Sequence, residues 1–460
     1  MDSHLFSSLA LRSELTANIE SLGFAAMTSI QQQSLPFILA GQDLIAQGHT
    51  GSGKTAAFGI GLLNQIDVSQ FKPQALVLCP TRELSEQVAT EIRRLARAIP
   101  NVKVTTVYGG VSIKNQIDSL AKGAHIVVGT PGRISDLLTK RSLELGHLKS
   151  LVLDEADRML DMGFQKTLEE IMQEIPNARQ TLLFSATFPA QIETLAERVT
   201  TNAEFVKVAE SQDQVRIDEG FYLVEKESER IDALQRLLLE QSANQAVVFC
   251  NTRIDAQTVA GGLKSVGFSA AALHGDMEQK DRDQTLIRFS NSSLNVLVAT
   301  DVAARGLDIS TLDLVINFHL PKEIDVYTHR IGRTGRAGEK GTALSLYGKG
   351  EIYRLDKLST IIGRKIQHKD LPPQQILSQR PERASMSTLR IEGGKKQKLR
   401  PGDLVGALTK GDGINGDQLG KIQILDNWAY IAIDRDIAKQ ALAKLSAGKI
   451  KGKSFRSRLI

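Results

Sequence analysis

Short apolar runs alternate with longer stretches of helical period through the first 370 residues of this 460-residue chain. Residues 75–79 read as a buried strand, residues 83–96 as a helix, and residues 102–107 as a strand again. This is the rhythm of βαβ units, and it predicts an α/β architecture with mostly parallel sheets. Two of the apolar runs end alike, as Leu-Val-Leu-Cys-Pro-Thr-Arg at 76–82 and Val-Val-Phe-Cys-Asn-Thr-Arg at 247–253. The echo suggests two related domains in tandem. Periodicity lapses in the polar stretch 209–214 and again in the Pro-, Gln- and Ser-rich stretch 371–383, where domain edges are expected. The resulting division is a first domain at 1–208, a linker at 209–217, a second domain at 218–370, a linker at 371–385 and a tail at 386–460.

The tail has a pattern of its own. Residues 388–391 read as a strand, 401–409 as a helix opened by Pro401, and 421–425 with 428–433 as two strands around an Asp426-Asn427 turn. Ile437, Ala441 and Leu445 share one helical face, and 454–460 read as a last strand. The order βαββαβ predicts a small RRM-like α+β domain.

Composition narrows the class. With 42% apolar and 24% charged residues, the chain is neither disordered nor fibrous. Its apolar runs are far shorter than the ~18 to 20 residues that span a bilayer, and its start lacks a basic segment followed by an apolar core. Cys79 and Cys250 stand 171 positions apart with no metal-ligand spacing around them. The expectation is a cytoplasmic protein in a reducing compartment, with no membrane partner, zinc site or disulfide framework. Net charge is only +5, yet residues 386–460 hold 15 basic and 7 acidic residues, leaving 42 basic against 45 acidic in the rest. The excess sits in the tail, which suggests a near-neutral engine carrying a module for a polyanion.

Three motifs carry chemistry. Gly48-His49-Thr50-Gly51-Ser52-Gly53-Lys54-Thr55 follows a strand pattern and precedes a helix pattern, as in a phosphate-binding loop: the glycines Gly51 and Gly53 turn backbone N–H groups toward phosphates, Lys54 supplies charge, and the Thr55 hydroxyl suits Mg²⁺. Leu151-Val152-Leu153-Asp154-Glu155-Ala156-Asp157 ends an apolar strand on two carboxylates. Alone it reads equally as a helix N-terminus rich in acids. After a phosphate loop it reads as a hydrolytic site, with Asp154 for the metal and Glu155 for the water. The third, His329-Arg330-Ile331-Gly332-Arg333-Thr334-Gly335-Arg336, spaces arginines three apart, as expected of cations that stabilise phosphoryl transfer.

These motifs occur in order with Gln31 after Phe24, Pro80-Thr81-Arg82-Glu83-Leu84, Gly109-Gly110, Thr130-Pro131-Gly132-Arg133, Ser185-Ala186-Thr187 and the run 299–308. The ordered set, covering about residues 6–345, resembles the DEAD-box RNA helicases. The resemblance implies two RecA-like P-loop domains with ATP between them and RNA across both. It assigns adenine reading to Phe24, Thr28 and Gln31, with Phe6 as an upstream aromatic. Gly51, Ser52, Gly53, Lys54 and Thr55 take the phosphates, and Asp308 meets the nucleotide. Thr55 and Asp154 hold Mg²⁺, Glu155 handles the water, and Arg333 and Arg336 are arginine fingers. Ser185 and Thr187 couple hydrolysis to domain movement. Thr81, Arg82, Gly110, Thr130, Gly132, Arg133, Gln279, Arg282 and Thr300 line the RNA backbone. Two positions depart from the family: Gly48 replaces a usual Ala, and Met27 a usual Pro.

The run 391–403 and the ending 448–453 resemble the DbpA subfamily, whose tail targets 23S ribosomal RNA near the peptidyl-transferase-centre hairpin during large-subunit assembly. Lys395, Lys396, Lys398, Arg400, Lys449, Lys451 and Lys453 are the expected RNA contacts. Trp428 and Tyr430 occupy aromatic places of an RNP1-like strand, where they either stack on bases or fill the core. The reading is an RNA-stimulated ATPase that opens short RNA structure. An ATP-gated RNA clamp shares every motif, and a DNA translocase is disfavoured by the adenine-reading set.

Overall fold

The computed structural model describes residues 4–49, 51–208, 217–304, 312–321, 323–335, 340–362, 365–411 and 413–460. The chain divides into two compact units, one carrying the first sheet and the other carrying the second sheet together with the tail.

The first sheet comprises β1 (Leu44–Gln47), β2 (Ala75–Leu78), β3 (Val104–Val107), β4 (Ile126–Gly129), β5 (Ser150–Asp154), β6 (Gln180–Ser185) and β7 (Glu204–Lys207), all parallel, in the order β3-β4-β2-β5-β6-β1-β7. β2, β4, β5 and β6 are buried throughout, because helices cover both faces of a parallel sheet. One apolar cluster, with Phe58, Ile92 and Phe184, lies on one side, and a second, with Leu76, Leu151 and Ile192, on the other.

The second sheet comprises β8 (Ile217–Val224), β9 (Ala246–Cys250), β10 (Ala270–Leu273), β11 (Val296–Thr300), β12 (Leu314–Asn317), β13 (Gly341–Gly348) and β14 (His368–Lys369), in the order β10-β11-β9-β12-β13-β8-β14. Strand for strand this is the first sheet's order again. The Cys-x-Thr-Arg echo falls after the second strand of each, and its basis is local. The cysteine ends a buried strand, and the threonine caps the next helix: Thr81 Oγ1 accepts from the Leu84 N–H at 3.2 Å and Thr252 Oγ1 from the Asp255 N–H at 3.1 Å.

The tail has the expected order: β15 (Met386–Ile391), a helix Pro401–Thr409, β16 (Leu419–Ile424), β17 (Ala429–Asp434), a helix Ala438–Ala447 and β18 (Ser457–Leu459). Its antiparallel sheet runs β16-β17-β15-β18. Leu389, Ile391, Ala429, Ile431 and Ile433 point into the core beneath the two helices. Tyr430 belongs to the other face. The alternative that it fills the domain's core is thereby set aside; Lys280, Asn291 and Ser293 of the second domain lie against that face.

Candidate nucleotide and RNA sites

Strand order sorts the loops of the first domain into two neighbourhoods at the C-terminal edge of the sheet. Adjacent strands β5, β6 and β1 deliver Asp154-Glu155, Ser185-Ala186-Thr187 and the phosphate loop. Adjacent strands β3, β4 and β2 deliver Gly109-Gly110, Thr130-Pro131-Gly132-Arg133 and Thr81-Arg82. Ligands of open α/β sheets bind at this edge, so one sheet offers two sites side by side.

In the first neighbourhood the motifs are bonded to one another. Lys54 is buried and its Nζ donates to the Gly48 carbonyl at 2.7 Å; Ser52 Oγ donates to the His49 carbonyl at 2.8 Å. Thr28 Oγ1 donates to the Ser52 carbonyl at 2.7 Å, and Gln31 Nε2 to that of Gly53 at 3.2 Å. A side chain at Gly53, whose φ is +97°, would place Cβ 2.6 Å from Gln31 Nε2, so glycine is required on two counts. The residues expected to read the base thus hold the loop expected to hold the phosphates. Phe24 packs with its ring centroid 6.1 Å from that of Phe6 and has the Arg94 guanidinium 5.2 Å over its face.

The two departures from the family have local reasons. A Cβ at position 48 would lie 2.7 Å from Ile30 Cδ1, so Gly48 makes room for a bulky neighbour. The Met27 N–H donates to the His4 carbonyl at 2.8 Å, a bond that proline cannot make.

Burial pushes the Asp154 carboxyl up to about 7, against the pull of Lys54, and Glu155 adds to the rise. Such a carboxylate calls for a further cation beside it. Glu155 sits in left-handed backbone at φ 53°, and its carboxylate pairs with buried Arg158 at 3.2 Å. Asp157 Oδ2 accepts from the Thr187 N–H at 3.0 Å and from Thr187 Oγ1 at 2.9 Å, while Ser185 Oγ donates to the Thr187 carbonyl at 2.6 Å. The Gly48 N–H donates to the Ser185 carbonyl at 3.0 Å, which closes a chain of bonds from phosphate loop to acidic strand end. Sequence reasoning assigned no role to Asp157 or Arg158. The presence of both inside the Asp-Glu-Ala-Asp-Arg run was the available signal.

In the second neighbourhood, Thr81 and Thr130 are buried, and Arg133 Nη1 donates to Gln116 Oε1 at 3.0 Å. Gly110, at φ +78°, leaves the space its Cβ would fill to the Arg82 guanidinium, 1.8 Å away, whereas nothing lies within 4 Å of a Cβ at Gly132. In the second domain the matching strands β10, β11 and β9 carry Gln279 and Arg282, Thr300, and Thr252-Arg253. Gln279 Nε2 donates to Asp283 Oδ1 at 2.8 Å, and buried Arg282 donates to the His274 carbonyl at 3.2 Å.

Arg330 is structural. Its buried guanidinium binds both oxygens of Asp301, at 2.6 and 2.8 Å, together with the side-chain oxygens of Asn317 and Asn251 and the His319 carbonyl. It ties the ends of three strands together. Arg333 is buried, and Arg336 and Asp308 lie outside the described residues.

In the tail, two lysine-rich loops meet. The Glu392 N–H donates to the Arg456 carbonyl at 2.9 Å, a Cβ at Gly393 would strike the Phe455 ring at 2.5 Å, and Lys451 Nζ donates to the Lys398 carbonyl at 3.2 Å. Lys395, Lys396, Lys398, Arg400, Lys449, Lys451 and Lys453 are all exposed at this shared edge. Tyr430 corrects the stacking expectation: it is 1% exposed and offers no ring face to a base. Trp428 is half-buried, with Arg390 4.3 Å and Lys280 5.3 Å over its ring.

Residues 28–195 match the DEAD/DEAH box helicase family, residues 229–338 the helicase conserved C-terminal domain, and residues 388–459 the DbpA RNA binding domain. The chain is 48% identical over 443 residues to the ATP-dependent RNA helicase DbpA of Escherichia coli strain K12, covering 96% of each chain. It is 37% identical to the DbpA of Bacillus subtilis strain 168, covering 98% of each. Among solved structures, Saccharomyces cerevisiae Dbp5 bound to RNA and ADP-BeF3 superposes with a TM-score of 0.72 at 30% identity, covering 82% of this chain and 100% of that one. The fold and the ordered loops are those of an RNA-dependent ATPase with tandem RecA-like domains. The chain belongs to the DbpA family of DEAD-box ATP-dependent RNA helicases.

Among the described residues, no helix is long and apolar enough to cross a membrane, and no group of three or more His, Cys, Asp or Glu residues is placed to hold a metal.

Proposed function

We propose that this helicase is directed by its tail to 23S ribosomal RNA, at or near the peptidyl-transferase-centre hairpin, and that it opens short RNA structure there during large-subunit assembly in the cytoplasm. The observation that carries the tail's part is the joined lysine edge. Seven exposed cations from two loops converge on one side of a small domain, while the rest of the chain is slightly acidic. Phosphate contacts of this kind make affinity fall steeply with salt.

At the catalytic site, Lys54 and the backbone of Gly51, Ser52 and Gly53 take the phosphates, with Phe24, Thr28 and Gln31 against the adenine. Thr55 and Asp154 would hold Mg²⁺, which suits a buried carboxylate in need of charge and supplies neutralisation of the phosphate oxygens. Glu155 orients and deprotonates the attacking water, and Arg333 and Arg336 act as fingers. Ser185 and Thr187 pass the state of the site to the rest of the domain through Asp157. RNA runs over Thr81, Arg82, Gly110, Thr130, Gly132, Arg133, Gln279, Arg282 and Thr300.

The test compares ATP turnover stimulated by 23S ribosomal RNA, by a fragment carrying that hairpin and by unrelated RNA. The intact chain is set against one with Lys395, Lys398, Lys449 and Lys451 changed to Ala. The proposal expects the variant to lose its preference while keeping some nonspecific stimulation. Equal preference in both chains refutes it. An ATP-gated clamp remains the second reading, because it uses every one of these residues; strand displacement per ATP on one duplex separates the two.

A further inference from the structure

The helix Arg82–Leu95 reaches both neighbourhoods of the first domain. It begins beside Thr81 with Arg82, residues assigned to the RNA path, and its last turn holds Arg94, whose guanidinium lies 5.2 Å over the ring of Phe24 in the base site. From Arg82 to Arg94 is about 18 Å of helix. Between these ends Leu84, Val88, Ala89 and Ile92 are packed into the domain core, so the element shifts as one piece.

The far end of this helix is built to hold the aromatic. Arg94 donates through Nε and Nη2 to the two carboxylate oxygens of Glu91, each at 3.0 Å, and this fork fixes the plane of the guanidinium. Asn18, buried on the helix Ser13–Ser21 that leads into the Phe24 loop, donates to the carbonyls of Arg94 and Leu95 at 3.0 and 2.7 Å. The last turn and the loop that carries the aromatic are thus tied side by side. The same turn bears on the helix Lys54–Gln65 after the phosphate loop: a Cβ at Gly59 would stand 3.0 Å from Leu95 Cδ1 and 3.6 Å from Ile92 Cγ1. A plain surface ion pair needs neither the stacked ring nor the buried amide beneath it.

We propose that Arg94, oriented by Glu91, is a positioning residue for Phe24, and that the helix Arg82–Leu95 carries the seating of RNA at one end to the reading of the base at the other. A cation over an aromatic face favours one angle of the ring. Phe24 is then set before the nucleotide arrives. When RNA settles on Arg82 and shifts the helix, the guanidinium moves with it and the ring follows. This role rests on the reading that Phe24 meets the adenine.

Arg94 is 45% exposed, so it can be changed without opening the core. Arg94→Met removes the charge and keeps the stem, Arg94→Lys keeps the charge and loses the fork, and Glu91→Gln loosens the fork. Three quantities are read on the full chain. They are the KM for ATP at saturating RNA, inhibition by inorganic tripolyphosphate, which has phosphates and no base, and the Kd of adenylyl imidodiphosphate with and without RNA.

The expected result for Arg94→Met is a KM for ATP raised about two- to fivefold at unchanged kcat, the scale of one exposed cation–π contact, with tripolyphosphate inhibition unaltered. Arg94→Lys and Glu91→Gln fall between this variant and the natural chain. The factor by which RNA tightens the ATP analogue shrinks in Arg94→Met, and because coupling is reciprocal the factor by which the analogue tightens RNA shrinks equally. An unchanged KM in Arg94→Met overturns the proposal. So does an equal loss for tripolyphosphate, which general loosening of the domain would give, and so does a coupling factor that stays the same. Phe24→Leu keeps the two ideas apart: if it leaves the KM unmoved, Phe24 does not read the base, whereas if it raises the KM and Arg94→Met does not, the positioning role alone falls.

Discussion

The two RecA-like domains share one strand order and one capped turn after the second strand, yet only one has phosphate-loop chemistry. After β1 the first domain has a glycine loop and Lys54; after β8 the second has Glu225-Lys226-Glu227. At the end of β5 stands Asp154, buried and raised to about 7. At the end of β12 stands Asn317, whose amide is committed to Arg330 and Ser345. The same frame therefore carries a reactive edge in one copy and a satisfied edge in the other. The sheet fixes where side chains emerge, and the loops decide whether those side chains are left available or bonded away.

The sharpest way to test this contrast is to change each edge in turn. Glu155→Gln should lower RNA-stimulated ATP turnover by about 10²- to 10⁴-fold, the range for a lost general base, and should also lower the melting temperature, because it neutralises the partner of buried Arg158. Steady-state phosphate release and calorimetry check both halves of that statement. Arg330→Ala should damage chiefly the fold. Stranding Asp301 and Asn317 in the interior should cost about 3 to 5 kcal/mol, and calorimetry should show the unit built on the second sheet melting first while the first-domain transition stays in place.

A smaller effect is expected at the link between motifs. Thr187→Val removes one hydroxyl from the Asp157 carboxylate, a charged hydrogen bond of about 1.5 to 3 kcal/mol. ATP turnover should fall by less than in Glu155→Gln, and strand displacement per ATP by more than turnover. Smallest is the paired cap test. Thr81→Ala and Thr252→Ala should each destabilise their own domain by about 1 kcal/mol, read by denaturant unfolding. Only Thr81→Ala should also weaken RNA stimulation, because the echo carries an assigned RNA role in the first domain alone.

Much of the frame was legible along the chain. The strands are short apolar runs because both faces of each central strand are buried, and their shortness, with turn residues beside them, separates them from buried helices. The echo at 76–82 and 247–253 marked the duplication, although its cause, a capping threonine, needed the N–H geometry of Leu84 and Asp255 to appear. The tail's βαββαβ order was equally readable from its turns and helix faces. The fate of Tyr430 was not readable. Alternation placed it opposite the core, but what covers that face comes from residues 280–293, more than 130 positions earlier, and no local pattern encodes such a pairing. Arg158 and Asp157 were hidden differently: an acidic strand end followed by a helix explains them cheaply, and only three-dimensional placement shows that one pairs with Glu155 and the other binds Thr187. Arg330 shared a spacing with the proposed fingers, and only its bonds to Asp301, Asn317 and Asn251 mark it as structural.

Cys79 and Cys250 occupy matching places at the ends of β2 and β9, both fully enclosed, and burial pushes both thiols up. They are unreactive while their sheets are closed. Nature has thus placed one silent label in the same position of each copy. Alkylation followed by mass spectrometry would time the opening of each sheet separately in a single untagged sample. With nucleotide and RNA added in turn, the pair of rates would show which domain each ligand steadies.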